Sequence, residues 1–69
     1  MFGANMNYAI AQHYQARDAA IKRLVSILNS GYDIDEWVLQ KVCRECGLTG
    51  DGFESEREYI IKALYREVK

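Results

Sequence analysis

Few side chains in this 69-residue chain are of types that do chemistry. Cys43 and Cys46, within "VCRECG", are its only cysteines, and His13 is its only histidine. Two cysteines at this spacing suit a structural zinc site, but such a site takes four ligands. The cysteines and His13 fall one short, unless two copies bring four cysteines together across an axis. A redox pair wants its first cysteine at a helix N-terminus, where the dipole stabilises the thiolate. Here both cysteines fall in the last turn of a predicted helix, where the dipole opposes negative charge. Packing explains them better. With Gly47 as a left-handed stop, Cys43 takes the position that meets the residue beyond the stop, Leu48. Cys46 continues an apolar row into the core, as buried free cysteine often does.

The other polar groups read the same way. His13 has no nucleophile or carboxylate fixed beside it by sequence, and is expected at a surface or interface. Asp33, Asp35 and Glu36 form a carboxylate cluster whose spacing is that of a helix start. Asp51, Glu54 and Glu56 are oxygen donors, yet they lack the alternating pattern and twelve-residue length of a calcium loop. No catalytic residue, metal or cofactor is expected, and the chain is read as non-enzymatic.

The elements that would position these residues are helices. The chain has no Pro and is rich in Ala, Leu, Ile, Glu, Lys and Arg. Ile10, Tyr14, Arg17, Ile21, Leu24 and Leu28 recur at steps of three and four, predicting a helix over about 7–29 closed by Gly31. A second helix is expected over about 34–46. Asp33 is its cap, Glu36 completes a capping box, Tyr32 and Trp37 form a hydrophobic staple, and Gly47 is the stop. A third is expected over about 56–68, capped by Ser55 with Glu58. Ile60, Ile61, Leu64, Tyr65 and Val68 would face inward, and Arg57, Lys62, Arg66 and Lys69 outward. "LTGDGFE" between the last two reads as a turn, with Leu48 and Phe53 tucked beneath it. The fold expected is a single-domain (1–69), all-α, three-helix bundle with a long first helix.

Composition narrows the function. Nine basic and ten acidic residues give a net charge of −1, without the general attraction to phosphate that most nucleic-acid binders use. No apolar run reaches the ~20 residues needed to span a bilayer. The first residues lack the pattern of a secretory leader, so two cysteines point to a reducing, cytoplasmic setting.

"LQKVCRECGL", a glycine-containing connection and "YIIKAL" together resemble, over about half the chain, the helix–extended loop–helix of SAP-type DNA-binding modules. The resemblance implies a small DNA-binding module. The connection here is longer than that family's, and Phe53 stands where it has a basic residue. "SEREYI" is also acidic where phosphates would approach. DNA binding is therefore second to protein binding. The chain is expected to act on another protein as a regulator, inhibitor or adaptor. Tyr8, Ile10, Tyr14 and Arg17 on helix one are the expected partner or dimer face, with a homodimer foreseen.

Overall fold

In the computed structural model, the backbone is described for residues 2–67 and the side chains for residues 11–67. Three helices account for nearly all of it: α1 (Phe2–Asn29), α2 (Glu36–Glu45) and α3 (Gly50–Glu67). At 1.5 Å per residue they are about 42, 15 and 27 Å long. α1 packs against both α2 and α3, which touch each other only sparsely. The course is up, down, up. Gln12 and Gln15 lie by Cys46 at one end, and Leu28 lies by Ile34 and Ile61 at the other.

The core follows from small and branched side chains meeting on the axis of α1. Ala20 and Leu24 are fully buried, as are Cys43 of α2 and Ile60 of α3, while Leu39 and Val42 complete the α2 face. Ala20 brings the backbones close, and Leu24 fills the space above it. Arg17 continues this face of α1, as its spacing predicts.

Both predicted helix stops form. After α1, Tyr32 N–H donates to Ile27 O and Gly31 N–H to Leu28 O. After α2, Leu48 N–H donates to Cys43 O at 2.8 Å and Gly47 N–H to Arg44 O. These are two complete Schellman motifs, with Gly31 at φ 94° and Gly47 at φ 95°. Such a φ suits glycine because a Cβ there crowds the following carbonyl.

The helix starts differ from expectation. "DIDE" offers two aspartates, and the second is used: Asp35 Oδ1 accepts the Val38 N–H at 2.9 Å. This register turns Leu39, Val42 and Cys43 inward and leaves Trp37 67% and Tyr32 70% exposed, so the Tyr32–Trp37 staple is not made. Ile34 and Leu39 occupy the staple positions instead, since they flank the cap actually used. Glu36 binds Gln40 and Arg57 rather than closing a capping box.

α3 also begins earlier than expected. The Thr49 carbonyl accepts from Gly52 N–H and Phe53 N–H, so "GDGFE" is the first turn of the helix and not a loop. Gly50, at φ 57°, makes the entry, and Asp51 suits the positive end of the helix dipole. Ser55 lies inside the helix, donating to Gly52 O at 3.1 Å, and caps nothing. Ala63 joins Ile60 and Leu64 in the buried face, whereas Tyr65 is 83% exposed. Val68 and Lys69 lie outside the described residues. Leu48 is buried and Phe53 partly so, packed on the core, as expected.

Candidate functional site

α1 and α3 are joined by a charged cluster that the sequence does not announce. His13 Nε2–H donates to Glu56 Oε2 at 2.8 Å, a carboxylate being able only to accept. Arg17 Nη1 reaches the same oxygen at 3.4 Å. The Arg17 guanidinium lies 4.0 Å from the Tyr59 ring centre and 4.8 Å from that of Tyr14, both within cation–π range. Its Nε is buried without a hydrogen bond, and Asp18 Oδ1 is 3.6 Å away. The Gly52 backbone runs beside the His13 ring, where even a Cβ would be in contact. His13 is thus turned to Glu56 and not to the cysteine pair.

Two of the four expected interface residues belong to this cluster. Arg17 is mostly buried and bound within the chain, and Tyr14 is half exposed beside it. The side chains of Tyr8 and Ile10 lie outside those described. The cluster holds α1 to the first turns of α3. A histidine ordered by a carboxylate resembles part of a catalytic relay, but among the described residues no hydroxyl or thiol nucleophile is bonded to His13.

The cysteines behave as two different residues. Cys43 is fully buried, and burial, helped by the nearby Cys46, pushes its thiol up to about 11. Cys46 is the C-cap of α2 and only partly buried, packed on the edge of the core. Arg23 Nη1 approaches its sulfur at 3.9 Å while Nη2 binds Glu45 at 2.9 Å. Among the described residues no three His, Cys, Asp or Glu side chains gather as metal ligands would.

At the opposite end of the bundle the helices diverge and leave a groove of about 570 Å³. Leu28 of α1, Leu39 of α2, and Ile61 and Leu64 of α3 line it, with Ile34 and Tyr65 among its other apolar residues. Asp33, Asp35 and Glu36 give its α2 side an acidic character. Arg57 crosses from α3 to pair with Glu36, its Nε donating at 3.3 Å and its Nη2 more closely. That guanidinium, with help from Gln40, holds the Glu36 carboxyl below its ordinary value of 4.5. Tyr32 and Trp37 bracket the Asp33–Glu36 stretch, and Lys41 Nζ lies 4.9 Å from the Trp37 ring centre.

No family model, curated protein or solved structure matches this chain. The groove therefore stands on its own chemistry: an apolar floor, an acidic wall and one strongly exposed aromatic residue, Tyr65, at its edge. The sequence does not announce it because three stretches, Leu28, 33–39 and 57–65, make it jointly. The available signal is Tyr65, which the register of α3 turns outward. Among the described residues no helix is long and apolar enough to cross a membrane.

Proposed function

We propose that this chain works by binding another protein, without catalysis, through the groove between α2 and α3. The observation that carries this reading is an apolar floor left open to solvent beside a strongly exposed aromatic side chain, Tyr65. Tyrosine and tryptophan are the residues that most often anchor interfaces, since they bury large areas at little conformational cost. The reading as a regulator, inhibitor or adaptor follows from the chain's small size.

The arrangement of charge disfavours the DNA reading. Arg17, Arg23 and Arg57 are engaged by Glu56, Glu45 and Glu36, so three of the cations that could meet phosphate are already paired. The connection between α2 and α3 is also short, because "GDGFE" is helical, unlike the extended loop of SAP-type modules.

Affinity capture from the source cell, with the wild-type chain and with a Tyr65→Ser variant, tests the reading. Proteins retained by the wild type and lost from the variant are expected. Equal retention by both chains would move the binding surface elsewhere. Retention of duplex DNA that falls steeply with salt would transfer the function to nucleic acid.

A further inference from the structure

We propose that the occupant of the groove is a second copy of this chain. In this two-fold pairing, the Lys62–Tyr65–Arg66 face of each α3 lies on the partner's groove. The inference rests on the reading of the groove as a docking surface, and it names the partner.

Charge complementarity carries it. The groove is net acidic: Arg57 is taken up by Glu36, while Asp33 and Asp35 have no cation within ion-pair distance among the described residues. The Asp35 carboxylate accepts one backbone N–H, which leaves its charge uncompensated. A fitting occupant therefore brings an apolar anchor flanked by cations.

The chain displays such a segment on the neighbouring surface of α3. Lys62, Tyr65 and Arg66 are spaced three and four apart, which puts them on one side of the helix. All three are exposed. Among the described residues Lys62 pairs only with Glu58, at 3.4 Å between two well-solvated groups, a contact of little worth that is readily exchanged. Arg66 makes no ion pair among the described residues. Tyr65 belongs to both surfaces, since it edges the groove and stands out from the stripe.

Adjacent, opposite patches on one face are what a two-fold axis requires. Each copy offers its stripe and receives its partner's, so both contacts form at once and the assembly closes.

Sedimentation equilibrium from about 1 to 100 µM, the weak end of the range for protein interfaces, tests the pairing. The wild-type mass is expected to rise from 8.0 kDa towards twice that value. One variant, Asp33→Lys with Asp35→Ser, reverses the groove while keeping a capping side chain on α2. The other, Lys62→Glu with Arg66→Glu, reverses the stripe. Each alone is expected to weaken dimerisation about tenfold or more, and an equimolar mixture to restore it, because both mixed contacts are again complementary.

Tyr65→Ser, at an exposed position where folding is not at stake, is expected to weaken the dimer by itself. It replaces either charge variant that loses its helical circular dichroism. A wild-type chain that stays at 8.0 kDa throughout overturns the proposal, as does a dimer indifferent to all these variants. Failure of the mixture to recover overturns it too. If capture of a different protein still depends on Tyr65, only the second-copy inference falls, and the docking reading survives.

Discussion

The two ends of this bundle are built from the same parts and finished in opposite ways. Where α2 gives way to α3, a Schellman stop turns the chain and drives Leu48 into the core beside Cys43. The His13–Glu56–Arg17 cluster then ties α3 to α1. Where α1 gives way to α2, the same stop presents Tyr32, which stays in water, and a longer connection lets α2 and α3 part. The backbone motif is common to both ends. The residue just after the glycine is buried in one case, Leu48, and left in water in the other, Tyr32.

The most severe break of this contrast removes the plug from the closed end. Leu48→Ala is expected to cost about 2–5 kcal/mol, the range for a buried leucine, in urea unfolding. Tyr65→Ala at the open end is expected to stay within about 0.5 kcal/mol under the same measurement. Equal losses would mean that the groove is as much a part of the core as Leu48. Next in size is Glu56→Gln, which takes the carboxylate from His13 and leaves Arg17 only the exposed Asp18 at 3.6 Å. About 1–3 kcal/mol is expected, with the His13 ring resonances shifting as its acceptor changes.

These residues also show what the sequence could and could not say. Gly31 and Gly47 were legible because a left-handed φ at a helix end is a local demand that one residue type meets. The cap of α2 was not, since Asp33 and Asp35 are equally good caps and only the burial of Leu39, Val42 and Cys43 chooses between them. The start of α3 was hidden because Gly50 and Gly52 look like a turn, while Leu48 and Phe53, packing on α1 and α2, make a helix there worthwhile. Period alone points Tyr65 inward, whereas the buried face of α3 is turned towards Ala63, on the far side of the helix from Tyr65. The bond between His13 and Glu56 joins positions 43 apart and has no local signature.

A smaller effect sharpens the cap. Asp35→Ala is expected to cost about 1 kcal/mol and Asp33→Ala close to nothing, read from thermal unfolding of the two variants. The reverse order would restore the register expected from sequence.

The response to pH is confined to the extremes of the range and has opposite signs at the two ends. The folded state raises the Cys43 thiol from 9.0 to about 11, so its neutral form contributes stability that is complete below pH 9 and is lost as pH rises towards 11. The folded state lowers the Glu36 carboxyl, so its contribution is present above 4.5 and is lost as pH falls through the depressed value. Titration followed by NMR should show Glu36 returning to its ordinary range in Arg57→Ala, and Cys46 should react with iodoacetamide while Cys43 does not.

The sparse meeting of α2 and α3 has a mechanical consequence. Each is held by α1, and the contact that crosses the mouth between them is the solvent-exposed clasp of Glu36 and Arg57. Ions screen such a clasp over about 8 Å at physiological strength, but barely affect Leu24 or Ile60. The mouth therefore has a compliance of its own, set by the surrounding electrolyte, while the frame that carries it stays stiff. Rising salt frees the lips of the groove before it loosens a single core side chain.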